Sequence, residues 1–199
     1  MSITKLFEHP LLLFFRVLIR NPLGVSAVAP SSQKLARAMA SGLDLQPNEG
    51  LIEIGPGTGA LTKQIREVIP DSKNYLGIEL EGKFVALLEH DFPELQFVQN
   101  SMVKAHEIHQ QSGQASVKVI ISGLSVSMLP RKIQDQFVEN LDLLLMPGSM
   151  FRMFQYIHAY PLPSSIRFRH RMAEHFSDYH RSKLVMNNLP PAYVVTWTR

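Results

Sequence analysis

The sequence predicts a single doubly wound α/β domain, built on a mostly parallel sheet with helices on both faces. Three observations carry that prediction. Apolar segments of strand composition alternate with helical segments along most of the chain. A glycine-rich turn, Gly55-Pro56-Gly57-Thr58-Gly59, joins the first such strand to the helix after it. The length of 199 residues, with hydrophobic side chains at 45% and charged ones at 19%, suits one sizeable core.

The segment from Lys5 to Arg20 is apolar and cationic, and reads as an amphipathic helical extension over residues 1–20, with Pro10 dividing a short lead-in from the helix proper. It fits a helix on the domain's own core and a helix docked on a membrane surface. Arg16 and Arg20 interrupt or flank its apolar run, about 20 continuous apolar residues are needed to span a bilayer, and no small-residue cleavage site follows, so the expected location is cytoplasmic. Ser31 or Ser32 caps a helix of about ten residues carrying Leu35-Ala36 and Met39-Ala40, and Pro47 and Gly50 close it off. Leu51 to Ile54 reads as a buried strand, and Leu61 to Val68 as a helix that stops before Pro70. Tyr75 to Leu80 is a second strand, Phe84 to His90 a helix, Leu95 to Val98 a third strand and Val117 to Ser122 a fourth. A helix over Ile133 to Leu145 and a fifth strand over Met150 to Tyr156 follow, and then a His- and Arg-rich stretch from Ile166 to Lys183 breaks the rhythm. Ala192 to Trp197 has strand composition and is expected antiparallel at the sheet edge.

The formal net charge of +3 and a sequence pI near 9.2 favour an anionic surface, whether nucleic acid or acidic lipid. With no cysteine, disulfides and thiolate metal sites are excluded. The eight histidines form no spaced ligand pair, and no metal site is expected.

Glycines in the turn let the backbone bend sharply and approach a ligand closely. With Ala60 the run also satisfies the looser dinucleotide fingerprint, and Glu79 lies about twenty residues on, where a ribose-binding acid belongs. Glu53 separates the two cofactor classes. A carboxylate two residues before the first glycine repels a pyrophosphate, whereas S-adenosylmethionine carries no phosphate and offers an ammonium and a sulfonium that a carboxylate favours.

Together, the turn, Ala27-Val28-Ala29-Pro30-Ser31-Ser32, the strand end Ser122-Gly123-Leu124 and the terminal Asn188-Leu189-Pro190-Pro191-Ala192 resemble the bacterial phospholipid N-methyltransferases. That family is similar in its cofactor domain to the ribosomal RNA adenine dimethyltransferases. The resemblance runs from about Phe14 to Trp197 and implies a seven-stranded, Rossmann-like class I methyltransferase domain over residues 1–199. It further implies S-adenosylmethionine as methyl donor, S-adenosylhomocysteine as product, and methylation of phosphatidylethanolamine toward phosphatidylcholine by a protein peripheral on the inner face of the cell membrane. The chain departs from the family at Ser125, where proline is usual, and at Asn100-Ser101-Met102, where an aspartate usually holds the adenine amino group. Asn100 or Ser101 can still accept that bond.

The candidate cofactor residues are therefore Ser31, Glu53, Gly55, Pro56, Gly57, Thr58, Gly59, Glu79, Leu80, Asn100, Ser101 and Met102. Ser122, Gly123 and Leu124 mark the methyl-transfer crevice, with no general base named. Phe154, Tyr156, His158 and Tyr160 alternate as if along an extended segment, so Tyr156 and Tyr160 are candidate cation–π partners for a methylated ammonium. Arg167, Arg169, Arg171, Arg181 and Lys183 are candidate grips on a lipid phosphate or an anionic leaflet. The expected partners are thus an anionic membrane surface and a lipid amine, with no obligate protein partner. An RNA adenine methyltransferase would need an amide and a stacking ring at the end of strand four, and Ser122-Gly123-Leu124-Ser125 has neither. A third reading is a protein that binds the cofactor without transferring methyl.

Overall fold

The computed structural model describes residues 32–199. Ser31 and the expected helix over Lys5 to Arg20 lie outside the described residues. The sheet contains β1 (Gly50–Ile54), β2 (Tyr75–Glu79), β3 (Gln96–Gln99), β4 (Val117–Ser122), β5 (Met150–Tyr156), β6 (Asp178–Arg181) and β7 (Ala192–Thr198). Its order is β3-β2-β1-β4-β5-β7-β6. Pairing from β3 through β5 is parallel, and β7 runs antiparallel to both β5 and β6. Every residue of β1 and β2 is buried, which explains their near-continuous apolar sequences: strands covered on both faces have no solvent side to alternate toward.

Helices α1 (Gln33–Ala40), α2 (Ala60–Arg66) and α3 (Gly82–Asp91) cover one face, packing Leu35, Met39, Ile65 and Leu88 against Leu51, Tyr75, Val119 and Phe154. Helices α4 (Ala105–Ser112), α5 (Arg131–Leu144) and α6 (Pro163–Ala173) cover the other, packing Ile108, Phe137, Leu141 and Phe168 against Ile52, Ile78, Ile120 and Phe151. Ser32 is the serine that caps α1, its hydroxyl accepting from the Leu35 amide at 3.2 Å.

Three expectations are corrected. Helix α4 was not foreseen because only Ala105 and Ile108 are buried along it, too few apolar positions for a visible period. The Ile166 to Lys183 stretch does not break the alternation, since it contains most of α6 and all of β6. All four β6 residues are exposed, so the strand has no apolar signature, as suits a charged edge. Consequently β7 lies one strand in from the edge, and its Trp197 is buried beside Phe151, Phe168 and Tyr179, with ring centroids 5.7, 5.9 and 5.3 Å away.

Candidate functional site

The chain winds from β1 outward to β3, then crosses to β4 on the other side of β1. The carboxyl ends of β1 and β4 therefore flank a topological switch point, where open α/β sheets bind ligands. A cavity of about 240 Å³ opens there, lined by Ile54, Gly55, Ile78, Glu79, Leu80, Asn100, Ser101, Met102, Leu124, Leu129, Pro130 and Ile133. It is somewhat smaller than a typical whole-ligand site of about 300–1,000 Å³ and matches a ring system more than a complete cofactor.

The glycine turn forms one rim. Gly57 has φ +59°, and no atom lies within 4 Å of where its Cβ would stand, so the turn faces open space that a ligand can fill. Glu79 braces this turn: Oε2 accepts from the Gly57 amide at 2.9 Å and Oε1 from the Glu81 amide at 3.0 Å. Burial raises its pKa, while the backbone amides of Glu81, Gly57 and Leu80 oppose the rise. A carboxylate already fixed at the end of β2 can receive a pair of ribose hydroxyls with little further ordering. Pro56, Thr58 and Gly59 complete the turn without lining the cavity.

Glu53 is not brought to the cavity. Its carboxylate is 0% exposed on the α2 face of the sheet, where Oε2 accepts from the Tyr75 hydroxyl at 2.6 Å and the Thr62 hydroxyl at 2.9 Å. Oε1 has no hydrogen-bond partner among the described residues. Burial pushes this carboxyl up to about 7, against the lowering effect of the Tyr75 and Thr62 hydroxyls. The side chain thus fastens α2 and β2 to β1 beneath the turn, and electrostatic selection of a cationic cofactor at its surface is not what this geometry provides.

At the end of β3 the Asn100 side-chain oxygen accepts from the Ser101 amide at 2.8 Å, and Asn100 and Ser101 both stand in the cavity wall. The apolar walls from Ile54, Ile78, Leu129 and Ile133 were not anticipated, although Ile54 and Ile78 are register partners at the ends of β1 and β2. Together these residues fit adenosylmethionine: apolar walls for a purine, polar atoms at Asn100 and Ser101 for its edge, a fixed carboxylate for ribose and an open glycine turn for the remainder.

The expected crevice residues divide by role. Ser122 is fully buried and closes on itself, its hydroxyl donating to the Leu124 carbonyl at 3.0 Å and accepting from the Leu124 amide at 3.2 Å, so it shapes the turn. Gly123 allows the turn to touch β1, because a Cβ there would lie 2.5 Å from the Gly55 carbonyl oxygen. Leu124 lies over Gly55 in the cavity wall. The next residue, Ser125, is fully buried with a hydroxyl that has no partner among the described residues.

The expected aromatic cage is corrected. Extended structure stops at Tyr156, which is 1% exposed in the core beside Phe154, while Tyr160 joins a separate cluster with Tyr193. The His158 ring still stacks on Tyr156, with centroids 5.5 Å apart, but turn geometry after β5 carries Tyr160 away from them. Arg169 stacks over Tyr160 and donates to the Gln155 side chain and the Tyr160 carbonyl, whereas Arg167 is exposed on α6. The two terminal motifs do meet: the Ser32 amide donates to the Asn188 side-chain oxygen at 2.9 Å, across 156 residues of sequence.

A family model described as ribosomal RNA adenine dimethylase matches residues 31–155. The ornithine lipid N-methyltransferase of Singulisphaera acidiphila is 25% identical over 142 residues, covering 70% of this chain and 74% of that protein. Ribosomal RNA small subunit methyltransferase A of Malacoplasma penetrans is 30% identical over 73 residues, so the match spans 37% of this chain and only 26% of that enzyme. Among solved structures, a precorrin-6y C5,15-methyltransferase from Geobacter metallireducens superposes with a TM-score of 0.64 at 11% identity, covering 90% of this chain and 95% of that one. Fibrillarin from Aeropyrum pernix, with natively bound S-adenosylmethionine, gives 0.59 at 13% identity over 83% and 74%. These structures share the seven-stranded fold, and the family model spans the glycine turn, the cavity and all of β1 to β4. The chain belongs to the ribosomal RNA adenine dimethylase family and is a class I methyltransferase that uses S-adenosylmethionine.

Proposed function

We propose that the acceptor is the amine of a membrane lipid headgroup, with phosphatidylethanolamine as the first candidate and ornithine lipid as the second. The observation that carries this reading is the end of β4. A planar adenine needs a stacking ring and an amide clamp there, whereas Ser122 is closed on its own turn, Gly123 is pressed against Gly55, and Ser125 contributes only a hydroxyl. A flexible sp³ amine needs alignment more than stacking. The relatives support the same reading, because the match to the ornithine lipid enzyme extends over most of both proteins.

Bound adenosylmethionine supplies an electrophilic methyl group on a sulfonium. The work left to the chain is to hold the nucleophile in line and to take up the proton that an ammonium must lose before attack. Leu124 and Gly55 define the narrow side of the approach. The Ser125 hydroxyl, unpartnered among the described residues, lies one residue beyond the cavity wall at Leu124 and does not itself line it. The candidate cofactor residues keep the roles their positions support: Glu79 for ribose, Asn100 and Ser101 for the adenine edge, Leu80 and Met102 as walls, and the glycine turn for the methionine portion.

The test is methyl transfer from radiolabelled adenosylmethionine to phosphatidylethanolamine or ornithine lipid in vesicles containing anionic lipid, with Glu79→Ala as control and chromatographic separation of products. Label in a methylated lipid, lost in the variant, is the expected result. The family description favours a second reading, transfer to ribosomal RNA adenine. Label in RNA supplied as the small ribosomal subunit, with none in lipid, would replace the lipid assignment.

A further inference from the structure

Away from the cofactor cavity, α6 and β6 enclose a second cavity of about 250 Å³, lined by Ile166, Arg169, His170, Ala173, Tyr179 and Trp197. None of these residues lines the cavity under the glycine turn. Arg169 and Arg181 converge beside it on one ring: their guanidinium carbons lie 3.9 and 4.9 Å from the Tyr160 centroid, and Arg181 also lies 4.7 Å from the Tyr193 centroid. Arg169 is fixed further by the Gln155 side-chain oxygen at 3.1 Å and the Tyr160 carbonyl at 3.0 Å. The Tyr160 and Tyr179 hydroxyls are 3.1 Å apart.

Among the described residues neither guanidinium has a carboxylate within ion-pair distance. Two cations stacked on one ring, without a counter-charge among the described residues, are stabilised by an anion. The Gln155 side-chain nitrogen adds a fully buried donor without a partner among the described residues. Next to these donors the surface is apolar. Leu162 and Ile166, one helical turn apart, are each 41% exposed, and Trp197 and Ala173 line the cavity beside them. Leu162 and Ile166 are aliphatic and stand at the surface with the Tyr179 ring, 40% exposed, so the apolar part suits an acyl chain.

We propose that Arg169 and Arg181, around Tyr160, form a binding site for the phosphate of a membrane phospholipid, with Leu162 and Ile166 facing its acyl region. It rests on the reading of the acceptor as a lipid amine and adds a second, non-reacting contact by which the chain engages the bilayer. No bond is made or broken at this site.

The test measures binding of the full chain to phosphatidylcholine vesicles containing phosphatidylglycerol, which has no amine and so reports this site independently of methyl transfer. Arg181→Gln is expected to weaken vesicle binding about tenfold or more, as the loss of one charge-assisted contact does, with adenosylmethionine affinity unchanged. Arg181→Lys keeps the charge without the planar fork and is expected to restore only part of the affinity. Unchanged vesicle binding in Arg181→Gln overturns the proposal. Inorganic phosphate that competes as strongly as the vesicles would make this a free-phosphate site and overturn the lipid assignment. A structured RNA that binds more tightly than the vesicles and loses affinity on the same substitution would overturn it in favour of RNA. If vesicle binding fails while methyl transfer to lipid succeeds, only this site is lost. If binding holds and no lipid is methylated, only the acceptor reading is lost.

Discussion

Two glutamates that look alike in the sequence do different work, and the strand's two-residue period explains why. Glu53 and Ile54 are neighbours, so they must face opposite sides of the sheet: Ile54 enters the cavity, and Glu53 turns under α2. That Glu53 belongs to the glycine motif was legible. Its facing was not, because position at a strand end says nothing of side. Glu79 closes the end of β2 beside the turn and reaches Gly57. Glu79→Gln should therefore weaken adenosylmethionine binding by about tenfold or more, since it replaces a charged acceptor by a neutral one at the turn and at the ribose. Calorimetry that finds wild-type affinity would remove Glu79 from the site. For Glu53 the prediction concerns stability. Its proton leaves the unfolded chain near the ordinary value of 4.5 and the folded one near 7. The folded state thus binds more protons between those values, and this group's contribution, complete below the lower value, declines as pH rises through the window by about 3 kcal/mol. Glu53→Gln abolishes the titration, so its stability relative to the unaltered protein should climb from about pH 5 to about pH 8 in urea unfolding. A pH-independent difference would sink the assignment.

At the level of elements, strands and helices were readable wherever burial imposed a period, and unreadable where it did not. β4 and β5 stand at their expected limits because both are buried almost throughout, whereas α4 buries two side chains and β6 none. The same reasoning locates what the site can tolerate. The end of β4 is positioned by contact, with the Gly123 amide donating to the Ile54 carbonyl at 2.8 Å while its α-carbon presses toward the Gly55 carbonyl. A methyl group at Gly123 has only backbone to displace. Gly123→Ala is expected to cost about 1–3 kcal/mol, as overpacking does, and to depress adenosylmethionine binding by shifting Leu124 in the cavity wall. A thermal midpoint and an affinity both equal to those of the unaltered protein would mean that the two turns move apart freely.

Across the whole molecule, the cofactor cavity and the second, cationic cavity were legible to different degrees. The switch point follows from topology and a compact motif, whereas the Arg169, Arg181 and Tyr160 cluster is assembled from α6, β6 and the turn after β5, which no spacing connects. No helix among the described residues is long and apolar enough to cross a membrane. The charge of +3 is too small to bind a bilayer by bulk attraction alone. The lipid reading therefore calls for local attraction, and the sequence offers a second cationic and apolar segment in Lys5, Arg16 and Arg20 around Leu11-Leu12-Leu13-Phe14-Phe15. Each basic residue near an anionic leaflet contributes about 1 kcal/mol, so these three together would alter membrane affinity by about a hundredfold, before any apolar insertion. Deleting Met1 to Arg20 should accordingly reduce binding to anionic vesicles by that order and leave adenosylmethionine binding within a few-fold. Rising salt should weaken the full chain more steeply than the truncated one, because fewer screened contacts remain to be lost. Equal losses of vesicle and cofactor affinity would instead mean that the segment supports the domain itself, and the membrane contact would rest on α6 and β6 alone.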